Sequence, residues 1–248
     1  MSDLISFADH IPTWMSILFL VVIPAPIIMI AALAKKGASL STNLHKSAGK
    51  IRTGILVFYF LYLTYVTIGS QLGWYDQLML PPKILLFTMF PLLAFLLGVV
   101  FNLPQYKEIV RFIPLAGLVG LHIFRLIGSF FLLLFLVGVL PKSIGLIAGI
   151  GDLVTAISSI YVAHALRSGK PFARKLTIAW NTFGLLDIIA TSASALILTK
   201  LSIDHGTQGV EGLALFPFCF IPAFAPATII FLHLTVYRKL FVEHSTLS

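Results

Sequence analysis

Charge and cysteine are what this sequence has least of. Only 10% of its 248 residues are Asp, Glu, Lys or Arg, while 58% are hydrophobic; a soluble domain carries ~25% charged residues. Such a chain lacks the polar side chains to cover itself in water, and its long apolar runs identify lipid as its solvent. A single cysteine, Cys219, excludes an internal disulfide and a thiolate metal cluster made by one chain. The patterns H-E-x-x-H, G-x-S-x-G and a glycine-rich phosphate loop are missing, which argues against an enzyme of those kinds. A basic leader is missing too. Residues 1 to 13 hold Asp3 and Asp9 but no lysine or arginine, so the first apolar run reads as a retained helix, not a cleaved signal.

Apolar sequence is present in seven runs, near residues 13–34, 53–73, 84–101, 112–139, 143–165, 176–199 and 212–237. Each is close to the ~20 residues that cross a bilayer. The expected fold is therefore all-α: one seven-helix polytopic membrane domain over residues 1–248. A net charge of +8 would suggest nucleic acid in a soluble protein, but here its distribution reports topology. Thirteen of the 17 basic residues fall on one side of the expected bundle, in the segments around Lys35, Lys46, Lys107, Arg167 and Arg238. The other side takes only Lys83, Lys142 and Lys200, and Arg125 is left inside. Cytoplasmic loops carry the basic excess, so the expectation is an outside N-terminus, a cytoplasmic C-terminus and an odd number of helices. The partner implied is the lipid bilayer, not nucleic acid, and an oligomer is compatible with the sequence.

Within those runs, four groups stand where charge or polarity is expensive. His122 and Arg125 lie in the fourth, Asp152 in the fifth and Asp187 in the sixth. At ~1.5 Å rise per residue, Arg125 and Asp152 sit about 20 Å from the cytoplasmic ends of their helices, and Asp187 about 17 Å. All three fall near one plane at the bilayer centre, where an unpaired charge costs from ~3 to more than 10 kcal/mol. His122 precedes Arg125 by three residues and shares its helix face. Asn181, Gly184, Asp187, Thr191 and Ser194 give the sixth helix a polar stripe, and Asp152, Thr155 and Ser159 do so for the fifth. His122, Arg125, Asp152, Thr155, Asn181, Asp187 and Thr191 are thus the candidate ligand-binding residues. One arginine against two carboxylates leaves a negative charge for a proton, a cation or a protonated His122 to fill. A small-solute or ion carrier with proton coupling is the leading reading. A receptor or sensor, a haem-bearing redox protein and a structural charge lock are the alternatives.

Other features are weighed against packing. Tyr59, Tyr62 and Tyr65 form a stripe that packs or lines a pocket. Pro24 and Pro26, with Pro217, Pro222 and Pro226, interrupt the first and last runs as kinks or as borders of a transport site. Gly145 and Gly149 have the spacing of a close helix approach. His164 and His233, each read as within about one turn of a cytoplasmic helix end, are the only pair of imidazoles considered as axial haem ligands.

Three resemblances bear on this. Pro104-Gln105 after the third run is similar to the signature of the PQ-loop and sugar-transporter families, although a second Pro-Gln is absent. The helix count and orientation resemble those of microbial rhodopsins, but no lysine lies within 212–237, so a retinal Schiff base is not expected. From Phe124 to Leu240 the chain resembles a group of bacterial multi-pass membrane proteins of uncharacterised function. The matching blocks are Phe124–Gly128, Ala148–Asp152, Ala179–Asn181 with Gly184–Asp187, and Ile221–Phe224 leading through Pro226 to His233. That resemblance implies a bacterial cytoplasmic membrane and no particular activity.

Overall fold

Proline and glycine decide where the apolar runs begin and end as helices. The computed structural model describes residues 10–245, with side chains to Phe241; Asp3 and Asp9 lie outside the described residues. Among these residues eight long or amphipathic helices follow in order: α1 Thr13–Leu40, α2 His45–Gln71, α3 Leu85–Asn102, α4 Pro104–Phe112, α5 Leu115–Leu136, α6 Lys142–Arg167, α7 Ala173–His205 and α8 Phe220–Ser245. All but α4 are long and apolar enough to cross a membrane, which makes seven candidate spans among the described residues. Their outer surfaces fit lipid: Val21, Phe60 and Leu136 are each at least 70% exposed, an apolar display that water does not tolerate over a whole bundle.

Hydrogen bonds among helix ends and loops identify the two ends. At one end Ser41 Oγ and Asn43 Nδ2 donate to Glu108 Oε1, Arg174 donates to the Leu240 carbonyl, and Lys239 Nζ donates to the Arg111 carbonyl. This is the basic end. At the other end Ser70 donates to the Ala214 carbonyl and Gln208 to that of Gly138.

Several boundaries differ from the sequence reading, each for a local reason. The segment starting at Pro104 is not a loop but a short amphipathic helix, α4, with Ile109 and Val110 buried and Lys107 and Arg111 exposed. Proline suits its first turn, and Pro114 forces Ile113 into extended backbone, which ends it. α4 docks on α1 at Gly37, where a Cβ would lie 2.7 Å from the Ile109 carbonyl oxygen. α7 continues to His205 and stops at Gly206, whose φ of +65° is the left-handed cap that glycine supplies.

The largest shift is at the last span. Residues 211–214 form a 3-10 turn and Pro217 lies outside the helix, so α8 starts at Phe220 and runs past Tyr237. His233 therefore stands well inside α8 and not near its end. Lys239 now falls within α8 and is buried, but its amine is tied to the Arg111 carbonyl at the basic end, 2.6 Å away.

Tyrosines of α2 bond carbonyls close to two of the prolines inside the spans. Pro91 in α3 has no N–H for the carbonyl of Phe87 one turn back, and Tyr65 Oη donates to that carbonyl at 3.1 Å. Tyr62 Oη donates to the Ala223 carbonyl near Pro226 at 2.9 Å. Tyr59 stacks edge-on to Phe224. The tyrosine stripe of α2 is thus a packing and hydrogen-bonding seam. Gly145 and Gly149 let α6 approach α5 at Phe135 and Leu132, as their spacing suggests.

Candidate functional site

α5 changes its winding where the charge lies. From His122 to Gly128 it is a 3-10 helix of seven residues, long for a form that seldom exceeds four and that often marks strain or function. Three residues per turn stack His122, Arg125 and Gly128 on one face, and all three are buried. α6 and α7 pack against this face and α8 closes it.

Arg125 is the hub. Its Nε donates to Asp152 Oδ1 on α6 at 2.6 Å, and Nη2 donates to Asp187 Oδ2 on α7. Nη1 donates to the Gly184 carbonyl at 3.0 Å and lies 3.1 Å from Nε2 of His233 on α8. Guanidinium has no acceptor, so His233 Nε2 must receive that bond, and the imidazole proton resides on Nδ1. Nδ1 in turn donates to Asn181 Oδ1 at 2.8 Å, and Asn181 Nδ2 donates to the His233 carbonyl at 3.0 Å. The ring of His233 is neutral in this arrangement. One positive and two negative groups remain, so the cluster carries one uncompensated negative charge when both carboxyls are ionised.

Glycines make the room for it. A Cβ on Gly128 would collide with the Asp152 carboxylate, and one on Gly151 with that of Asp187. On Gly184 it would sit 2.6 Å from His233 Cε1 and 2.8 Å from Thr155 Cγ2. Each of the three side-chain acceptors around Arg125 therefore occupies space that a neighbouring helix leaves by having no side chain.

His122 is different. It is fully buried, and neither ring nitrogen has a hydrogen-bond partner among the described residues. Its ring lies 4.3 Å from that of His233 and 5.1 Å from that of Trp180, centroid to centroid. A buried polar group with no hydrogen bond costs about 1–3 kcal/mol. Beside Arg125, Asp152 and Gly128 is a cavity of about 30 Å³, otherwise walled by apolar residues such as Pro26, Phe131 and Phe224. It has room for one or two waters.

Most of the residues picked from sequence come together here. Arg125, Asp152 and Asp187 touch, Asn181 holds His233, and His122 lies against it. Thr155 is buried but bonds the Gly151 carbonyl of its own helix, and its own carbonyl accepts Trp180 Nε1. Thr191 is buried yet makes no hydrogen bond to the cluster. His233 belongs to the site in a role the sequence reading missed, because the helix boundary placed it too near an end. As a haem pair the two histidines fail: both nitrogens of His233 are engaged, while His164 is exposed and lies 3.4 Å from Ser168 Oγ. Among the described residues no group of three or more His, Cys, Asp or Glu is arranged to hold a metal.

No curated protein and no solved structure matches the chain. A family model described as a domain of unknown function, DUF8737, matches residues 81–241, about two thirds of the chain and every residue of the Arg125 network. The chain is a member of the DUF8737 family.

Proposed function

We propose that this is a proton-coupled transporter of the cell membrane, carrying a small solute or ion, with the Arg125 network as its proton site. The observation that carries the reading is the charge count. Arg125 serves two carboxylates at once, so the buried cluster is one positive charge short of neutrality, and a proton fits where a solute does not. The 30 Å³ space beside Asp152 suits the water that would deliver it. Protonation of Asp152 or Asp187 replaces an ion pair with a weaker bond and frees part of the guanidinium. That change links proton binding to the packing of α5, α6 and α7. His122, buried next to His233 with no hydrogen-bond partner among the described residues, is a further acceptor on the same helix face. The excess of lysine and arginine at the basic end supports a cytoplasmic C-terminus and an outside N-terminus.

The test is proton flux in liposomes holding the purified protein and a trapped pH dye. The wild type is expected to move protons when members of a panel of small solutes and ions are added across the membrane, and Asp152→Asn or Asp187→Asn to abolish that movement. No solute-dependent proton movement across the panel, or unchanged movement in both variants, would sink the proposal. A structural lock is the second reading, favoured by the close engagement of Arg125 with four partners. In that case Arg125→Leu combined with both Asp→Asn changes folds and behaves as wild type.

A further inference from the structure

A second and much larger cavity, about 510 Å³, lies between α1, α2, α3, α4, α5 and α8. This is within the ~300–1,000 Å³ of small-molecule sites. Its walls are apolar, with Ile55, Phe58, Leu96 and Leu121 among them, and its polar atoms are few. Tyr106 Oη and Thr235 Oγ1 bond each other at 2.7 Å. Tyr59 Oη stands 3.5 Å from Thr228 Oγ1, at the limit of a hydrogen bond. α4 forms its floor at the basic end, held there by Gly37 and by the Tyr106–Thr235 bond.

The rim is open where lining residues are exposed. Gly54 on α2, Phe95 on α3, and Leu103 and Gln105 at the start of α4 all reach the surface. A Cβ on Gly54 would meet no atom within 4 Å. Basic residues border this rim, and the acid beside them on α4, Glu108, is engaged by Ser41 and Asn43. Lys50 and Arg52 precede Gly54 on the same helix, Lys107 follows Gln105, and all three are exposed. The guanidinium of Arg238 lies 4.9 Å from the Phe101 ring and 5.9 Å from that of Tyr106. None of these four basic residues forms an ion pair among the described residues.

We propose that this cavity binds one acyl chain of an anionic phospholipid, whose headgroup rests on the basic rim formed by Lys50, Arg52, Lys107 and Arg238. A hydrocarbon chain matches the apolar wall, and entry past Gly54 leads from the membrane surface into the bundle. The anionic headgroup supplies the charge that the rim lacks. The inference stands independently of the Arg125 network, which the cavity does not include.

Native mass spectrometry of the detergent-purified protein tests it, with phosphatidylglycerol and phosphatidylcholine of identical chains added in parallel. The wild type is expected to retain one phosphatidylglycerol and to prefer it over phosphatidylcholine. Gly54→Leu fills the entrance and is expected to lose that lipid, while Gly54→Ala leaves it bound. Lys50→Gln with Arg52→Gln is expected to cut the headgroup preference by about fivefold for each charge removed, the worth of a basic residue at a membrane surface. Size-exclusion profiles and melting temperatures of the variants confirm that they fold. Retention of the lipid by folded Gly54→Leu, or equal binding of the two lipids by the wild type, would overturn the proposal.

Discussion

The Nη1 group of Arg125 lies 3.1 Å from Nε2 of His233, and that contact fixes the state of both residues. The arginine can only donate, so the histidine accepts through Nε2 and keeps its proton on Nδ1, where Asn181 receives it. A chain of bonds thus runs from two carboxylates through a guanidinium and an imidazole to an amide, across α5, α6, α7 and α8. Nitrogen chemical shifts of labelled His233 are expected to report the Nδ1–H tautomer. Asn181→Leu removes the acceptor and is expected to disturb it; the alternative tautomer in the wild type would contradict the network.

Removing the hub strands the acids. Arg125→Leu leaves Asp152 and Asp187 buried without their cation, which costs about 3–5 kcal/mol for a broken buried pair. Adding Asp152→Asn and Asp187→Asn is expected to recover most of that loss, since no unpaired charge remains. Thermal unfolding in mild detergent measures both. A single variant as stable as wild type would mean that water, not protein, solvates the carboxylates.

The glycines give a second stability series. Gly151→Ala and Gly128→Ala push a methyl into the carboxylates of Asp187 and Asp152, and Gly184→Ala pushes one against His233. Overpacking of this kind costs about 1–3 kcal/mol. Gly49→Ala on α2, where a Cβ meets nothing within 4 Å, is the control, and is expected to gain about 0.5–1 kcal/mol from reduced chain entropy. Melting temperatures that fall equally in all four would contradict the packing account.

Outside the spans, Tyr106 provides a pH signature. Burial pushes its phenol up to about 12, opposed by its bond to Thr235 and by Arg238. The unfolded chain loses the same proton near pH 10. Between those values the folded state holds a proton that the unfolded state has released, so stability falls as pH rises from about 10 to about 12. Below pH 10 this contribution is fully present. Tyr106→Phe is expected to remove that alkaline loss and, at neutral pH, to cost about 0.5–1.5 kcal/mol for the hydrogen bond to Thr235. Phenolate absorbance and unfolding scans across this range check both.

The seven spans and the shared depth of Arg125, Asp152 and Asp187 were legible in the chain. Apolar run length reports bilayer thickness, and depth along a helix is linear in residue number. The same arithmetic failed for His233, because the 3-10 turn and Pro217 before Phe220 delay α8 and its end lies beyond Tyr237, which moves the helix centre. It also passed over α4, whose amphipathic pattern is too short to register as a span.

What the sequence by itself determined was the apolar character of the chain, the number of candidate spans and the level along them at which charge must be met. Those properties depend on one coordinate, position along a helix. Which groups meet at that level was decided only in tertiary structure, because it depends on the rotation of each helix and on how near two helices come. Gly128, Gly151 and Gly184 set that nearness by leaving out a side chain. The empty positions let Asp152, Asp187 and His233 converge on Arg125, while the wider gap between α2, α3 and α8 left the lipid-sized cavity.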